Sequence, residues 1–473
     1  MVFSSTVFTF IFLPSVLMIY YISKEKYRNN ILLIASLMFY AYGEPKFIFL
    51  MLASIMANWG LALLIDKYKQ DIQRRKMLLF VSVGINLLLL FTFKYLDFSI
   101  TILNMMLGSS LNITGIRLPI GISFFTFQAI SYIIDVYRGD GKAQKDLFKV
   151  GLYISLFPQL IAGPIVRYRT ISDQIEKRET TVKAFSIGIR RFICGFCKKV
   201  ILANNLALIA EKVFNGQPYS QLSVLYLWIG AISFSLQIYY DFSGYSDMAI
   251  GLGRMFGFEF EENFNYPYIA QSVTDFWRRW HISLGQWFRD YLYIPLGGSR
   301  TGAGRHIFNL FIVWAFTGLW HGANFTFIAW GLIYFIVLIV EKFLVKPERF
   351  KSTALKIIWR AVTLTVVMFA WVLFNSVGLK EGIEYWLAMI GAYHNPICNM
   401  ENICVIKESL AYIIMGIIFS VPVIPWIKGK VTIDKGTERW LGIISSFIYM
   451  LGFVWAVSFL ILGSHNPFIY FNF

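Results

Sequence analysis

The feature that most restricts this chain is a series of apolar runs, each 17 to 22 residues long, separated by short charged stretches. At 1.5 Å per residue, a run of that length wound as a helix reaches across about 30 Å of hydrocarbon. Backbone amides and carbonyls inside lipid must be satisfied within the protein, which leaves helices or a closed barrel. A barrel requires short alternating strands, and long unbroken apolar runs are the opposite pattern. Composition agrees: 57% of residues are hydrophobic and 15% charged, against about 25% charged in a soluble domain. The expectation is an all-α, polytopic transmembrane helical protein, one integral membrane domain over 1–473, with about eleven or twelve spans plus re-entrant and interfacial helices.

A net charge of +16 raises the question of nucleic acid. The distribution answers it, because Lys and Arg gather in short loops between apolar runs, as cytoplasmic loops require. "SKEKYRNN" follows a first run at Thr6 to Ile22, and "DKYKQDIQRRK" follows two more runs. Both are basic and read as cytoplasmic, which places the N-terminus outside in a multi-pass plasma-membrane topology. The first run lacks a basic n-region and a cleavage site, so it reads as a span rather than a signal peptide. In "LYISLFPQLIAGPIVRYR", Pro158, Gly163 and Pro164 interrupt an apolar stretch too short to cross twice. That pattern predicts a broken or re-entrant segment, which needs protein or water around its freed backbone groups. "RRFICGFCKKVILANNLALI" predicts an interfacial helix turning into a span. Further spans are expected near 77–95, 119–137, 223–240, 307–320, 325–340, 361–374, 410–427 and 441–462, with "KGKVTIDKGTER" inside and 254–305 a polar, aromatic cytoplasmic region.

Within this frame one residue stands out. His321 sits in "TGLWHGANFTFIAWG", inside an uncharged stretch between Arg305 and Glu341. Intramembrane ionisable groups are usually functional, although a core histidine bonded to a helix carbonyl is the plainer alternative. If the helix continues, Thr317, His321 and Asn324 share a face, and Gly318 and Gly322 admit a close neighbour. A second stretch, "DFWRRWHISLGQWFRDYLYIPLGGSR", reads as one amphipathic helix. Phe276, Trp280, Leu284, Trp287 and Tyr291 form an aromatic face for the membrane interface. Arg278, His281, Gly285 and Arg289 form a cationic face, with Asp275 between the two. Arginines at an interface often reach only lipid phosphates. The sharper reading is a mouth for an anionic cytosolic donor, built from Arg278, Arg289 and the tight turn at Gly297 and Gly298. A third stretch, "QIYYDFSGYSDMAIGLGR", places Asp241, Ser243 and Asp247 at the end of an apolar run, where helix-end polar contacts are the simpler role. Five histidines and four cysteines form no metal-ligand spacing, so no metal is expected.

These two histidine stretches, in this order and spacing, resemble the membrane-bound O-acyltransferase family, specifically its alginate O-acetyltransferase-like branch. "SFFTFQAISYIIDVYRG", "FPQLIAGPIVRY", "QIYYDFSGYSDMAIGLGRMFGF", "NFNYPY" and "NPFIYFNF" also look like that branch. One departure is Asn375 after "FAWVLF", where members of the branch often carry Arg. The resemblance implies a multi-span enzyme around a central funnel, with His321 as catalytic histidine and His281 as the second motif histidine. It implies transfer of acetyl from a cytosolic thioester, acetyl-coenzyme A or an acyl carrier, to hydroxyls of an exported polysaccharide. No bound cofactor is needed, because a thioester is already activated. His321, as general base, would contribute about 10²- to 10⁴-fold, with Thr317 or Asn324 fixing its tautomer or holding the oxyanion. Transfer is direct or passes through an extracytoplasmic serine-esterase-like partner. Two alternatives stay open: a D-alanyl transferase for teichoic acid fed by a carrier-protein thioester, and a transporter of a polymer or lipid-linked sugar.

Overall fold

The structure is a computed structural model that describes residues 2–300, 302–430, 435–463 and 465–469. Among the described residues there is no strand, and helices run almost end to end. The expected basic loop at 428–439 and the ending at 466–473 lie partly outside the described residues. In chain order the elements are α1 (Phe8–Ile22), α2 (Glu25–Gly43), α3 (Ile48–Lys67), α4 (Ile72–Leu107), α5 (Ile122–Arg138), α6 (Leu147–Ser155) and α7 (Tyr168–Glu176). They continue as α8 (Val182–Phe214), α9 (Val224–Met255), α10 (Val273–Arg279), α11 (Ile282–Phe288), α12 (Ala303–His321) and α13 (Phe325–Ile339). The last are α14 (Thr353–Asn375), α15 (Leu379–Met389), α16 (Met400–Phe419), α17 (Val423–Lys430) and α18 (Lys435–Ile461).

Seven helices among the described residues are long and apolar enough to cross a membrane: Ile48–Lys67, Ile72–Leu107, Val182–Phe214, Phe325–Arg349, Thr353–Asn375, Asn402–Phe419 and Trp440–Ile461. The chain is a polytopic membrane protein. The further stretches read as spans near 119–137, 223–240 and 307–320 are also helical, but they are shorter, more polar or largely buried within the protein.

The chain divides into two compact units, Met1–Phe192 with Ser246–Glu261, and Ile193–Tyr245 with Glu262–Phe473. In the first, α5 is the central helix, and nearly every residue from Ile122 to Val136 is buried. Asn58 of α3 and Asn86 of α4 exchange amide hydrogen bonds at 2.7 and 3.2 Å, the polar cross-link that apolar spans use where hydrophobic association is weak. The broken segment behaves as its prolines demand. Helix α6 stops at Leu156, a single helical turn covers Phe157–Leu160, and the chain to Val166 is irregular and buried. Its backbone groups are met by side chains. Phe157 N donates to Ser36 Oγ at 3.1 Å, Gln159 Nε2 to Tyr153 O at 2.7 Å, and Tyr153 OH to Val166 O at 2.9 Å.

The second unit has an aromatic centre, with Trp280, Trp330, Trp371, Phe276 and Phe374 buried together. Helices α12 and α13 form a hairpin that closes to backbone contact at two glycines. A Cβ on Gly318 would lie 2.5 Å from Phe327 O, and one on Gly331 would lie 2.5 Å from Trp314 O. Small residues are therefore obligatory at that crossing. Asp241 of α9 forms a buried ion pair with Lys199 at 2.7 Å and accepts from Ile469 N at 2.9 Å. In the first unit, Asp247 pairs with Arg191 at 2.5 Å. The acids of the third sequence stretch thus hold helices and the chain end in place.

Candidate active site

Helix α12 ends at His321, and Asn324 begins α13 by accepting from Thr326 N at 3.1 Å while its Nδ2 donates to Val377 O at 2.9 Å. The expected shared face therefore holds for Thr317 and His321 and is broken before Asn324. Asn324 is an N-cap, the role its type favours. Thr317 Oγ1 donates to Val313 O at 2.7 Å, as hydroxyls inside apolar helices do. His321 is buried, and its ring meets Trp320, Trp330 and Phe374 at centroid distances of 5.0, 4.9 and 5.3 Å. Asn375, the departure from the branch, is exposed at the end of α14.

The second stretch departs from the sequence expectation. It is not one amphipathic helix but two short ones, α10 and α11, separated at Trp280 and His281. His281 takes a left-handed conformation, φ 45° and ψ 52°, a region histidine enters more readily than bulkier residues. The cause is tertiary. Asn263 runs alongside and substitutes for the missing helical turn. Its carbonyl accepts from Ile282 N at 3.0 Å, and its Oδ1 accepts from Ser283 N at 3.2 Å and Ser283 Oγ at 2.9 Å. Asn265 N in turn donates to Arg279 O at 2.9 Å. The aromatic residues read as a membrane face, Phe276, Trp280, Leu284, Trp287 and Tyr291, are buried in protein, and His281, read as part of the cationic face, is buried with them.

This geometry fixes the chemistry of His281. Its Nδ1 lies 3.1 Å from Asn263 Oδ1. That oxygen already accepts from the Ser283 amide, which can only donate. Nδ1 therefore carries the proton, and Nε2 presents a lone pair. Nε2 is buried with no hydrogen-bond partner in the protein. Burial pushes the imidazole pKa down to about 3, so the ring is neutral at physiological pH.

His281 stands in the wall of a cavity of about 300 Å³. One side of the cavity is a stripe of α12 containing His306, Leu310, Trp314 and Thr317. These positions span eleven residues, about 16 Å at the helical rise. Trp277, Leu284 and Phe288 make the opposite wall apolar. One end is made cationic by Lys342, which meets His306 and Tyr293, and Arg289 also lines the space; Thr317, at the other end of the α12 stripe, is one helical turn short of His321. Trp320 touches both motif histidines, with its ring centroid 5.8 Å from that of His281. His321 itself is not among the cavity-lining residues.

The remaining expected site residues are distributed unevenly. Arg289 lines the cavity and pairs with Asp290 at 2.8 Å. Arg278 is exposed and does not line it. Gly297 (φ 107°) and Gly298 (φ 59°) form the tight turn their types suggest, but Gly298 O accepts from Asn309 Nδ2 at 3.0 Å and the turn backs Tyr293 rather than lining the space. Asp275 sits in the first turn of α10, paired with Arg279 at 2.9 Å. Sequence reasoning missed Glu341. Its buried carboxylate accepts from Val273 N, Thr274 N and Thr274 Oγ1 at 2.7 to 2.8 Å and from Trp359 Nε1 at 3.1 Å. It therefore clamps the start of α10, whose other end leads into His281. The available signal was a lone acid closing a long uncharged run.

A family model described as membrane-bound O-acyltransferase matches residues 144–378, which include both motif histidines and the entire cavity lining. A probable alginate O-acetylase of Pseudomonas putida is 39% identical over 498 aligned positions that cover all of both chains. The chain belongs to the membrane-bound O-acyltransferase family. It is thus a multi-pass O-acyltransferase, and the transporter alternative falls away. This acyltransferase is also 34% identical to a peptidoglycan O-acetyltransferase of Helicobacter pylori, over 85% of this chain and 82% of that one. It is 28% identical to a teichoic acid D-alanyltransferase of Bacillus subtilis, over 54% of this chain and 67% of that one.

Proposed function

We propose that this acyltransferase moves an acetyl group from a cytosolic thioester to a hydroxyl of an exported polysaccharide, with His321 as general base and His281 on the donor passage. The observation that carries the reading is the cavity running along α12 from a cationic end to Thr317, with His281 in its wall and His321 one turn beyond. A cationic end suits a phosphate-bearing donor, and the apolar wall suits its neutral arm. The acceptor oxygen attacks the thioester carbonyl while His321 takes its proton. The C–S bond breaks, and the proton passes to the departing thiolate. An acid and base within reach contributes about 10²- to 10⁴-fold. Apo geometry often tightens only when substrates bind, so the aromatic collar of His321 is compatible with this role. Alginate and peptidoglycan O-acetylation by relatives favour a polysaccharide acceptor and an acetyl donor. In the same reading the acetyl passes to the polymer directly or through an extracytoplasmic serine-esterase-like partner, and the N-terminus faces outside.

The test is acetylation of exopolysaccharide in cells expressing His321→Ala or His281→Ala at wild-type membrane levels. His321→Ala should lower acetylation at least 10²-fold, and His281→Ala should lower it less. An inserted, stable His321→Ala protein that still acetylates removes the base role. Transfer of D-alanine rather than acetyl from a carrier thioester by purified protein would favour the activity named for the Bacillus subtilis relative.

A further inference from the structure

The cationic end of the cavity has an arrangement that neither the motifs nor the family match assigns. Lys342 lies just beyond α13, and His306 lies in the first turn of α12. Lys342 Nζ is 3.1 Å from His306 Nε2, and Tyr293 OH is 3.0 Å from the same nitrogen. The single lone pair of a neutral His306 Nε2 accepts from one of them at a time. Among the described residues no carboxylate lies within ion-pair distance of Lys342, whereas its neighbour Glu341 is engaged by α10 and Trp359. Lys342 is exposed, and its ammonium lies against the buried His306 at the rim of an otherwise apolar space. An ammonium donates three hydrogen bonds. One reaches His306, which leaves two for an anion at the rim of a cavity whose lining contains no carboxylate.

We propose that Lys342, with His306 and Tyr293 holding it in place, is the subsite for the phosphate of a phosphopantetheine thioester. This rests on the thioester reading above and deepens it. Length supports the assignment. A phosphopantetheine arm has about four peptide-residue lengths of chain between phosphorus and sulfur, or ~15 Å extended. The lining stripe from His306 to Thr317 is about 16 Å. Phosphate at Lys342 therefore delivers sulfur to Thr317, beside His281 and one turn from His321. The same phosphate occurs in free coenzyme A and on an acyl carrier protein, and the subsite reads only the part they share.

The experiment measures binding of phosphopantetheine, pantetheine and coenzyme A to the full-length protein in lipid nanodiscs by calorimetry, for wild type, Lys342→Met and Lys342→Arg. Wild type should bind phosphopantetheine ten- to a hundredfold more tightly than pantetheine, the range of a charge-assisted hydrogen bond set. Lys342→Met should reduce that preference below about threefold, and Lys342→Arg should keep most of it, which excludes misfolding as the cause. Coenzyme A binding tenfold more tightly than phosphopantetheine identifies the free coenzyme as the source. Equal binding identifies the carrier. A wild type that does not distinguish phosphopantetheine from pantetheine, or a Lys342→Met protein that still does, overturns the proposal. If binding behaves as expected but acetyl-phosphopantetheine and acetyl-coenzyme A yield no free thiol, the subsite stands and the thioester reading fails.

Discussion

Replacing Asn263 with Ala tests whether the His281 geometry is imposed from outside its own helix. The Asn263 side chain accepts from His281 Nδ1, Ser283 N and Ser283 Oγ at 3.1, 3.2 and 2.9 Å, all in a buried setting. Orphaning a buried donor costs about 1 to 3 kcal/mol. The serine hydroxyl can turn elsewhere, which leaves two orphaned donors whose bonds are long, so the low end of that range applies to each and the total is about 2 kcal/mol. The Asn263 carbonyl still accepts from Ile282 N, so the strap survives, and a folded but less stable protein is expected. The chemical effect is larger than the loss of packing. Without an acceptor at Nδ1 the imidazole redistributes between tautomers, and a lone pair at Nε2 is no longer assured. Activity, measured as thiol release from acetyl-coenzyme A, should fall about ten- to a hundredfold, the range for losing an outer partner of a working imidazole. Asn263→Asp retains the acceptor and adds a negative charge. It should recover the tautomer and raise the His281 pKa, moving the acid limb of the pH–rate profile upward. Wild-type activity and stability in Asn263→Ala, or the same pH profile in Asn263→Asp as in wild type, would refute the reasoning.

Two further outcomes follow from the same geometry. Gly318→Ala puts a methyl 2.5 Å from Phe327 O, a backbone atom that cannot rotate away, so about 3 kcal/mol of stability should be lost; Gly60→Ala, with nothing within 4 Å, is the neutral control for the same melting measurement. His281 titrates near 6.5 when unfolded and about 3 when folded. The unfolded chain therefore holds the extra proton between those values. This contribution is complete above about pH 6.5 and is lost toward pH 3, at up to ~1.4 kcal/mol per unit. The pH dependence of melting in mild detergent should be shallower in His281→Gln over that window.

How much of this was legible in the sequence depends on whether local spacing or distant contacts decide. Apolar run length made the helices readable, because lipid leaves the backbone few alternatives. The break at Pro158 was readable because proline removes a donor whatever surrounds it. Gly318 was readable as a close approach, although its partner Gly331 was not. The 275–291 stretch failed because its periodicity is that of one helix, while Asn263, twelve positions upstream of Asp275, supplies hydrogen bonds that favour a left-handed residue at 281. Facial arithmetic then put His281 among arginines, when it belongs in the core. His306 and Lys342 meet across 36 positions, and no period in a single sequence joins them.

The aromatic packing explains why two histidines in one unit need not act alike. His281 lines the cavity, with its proton fixed at Nδ1 by Asn263 and its Nε2 buried without a hydrogen-bond partner. His321 lies in a collar of Trp320, Trp330 and Phe374 at the end of a helix whose crossing is set by glycines. Trp320 borders both rings. A thioester is attacked by water as well as by an alcohol. In the proposed reaction, an apolar passage that ends at indole and imidazole would admit the donor while keeping that competing nucleophile out. The cationic residues are then best placed where the structure has them, at the far end of the cavity. There a phosphate can be held about 16 Å from the acyl carbon without bringing its hydration shell to the site of transfer.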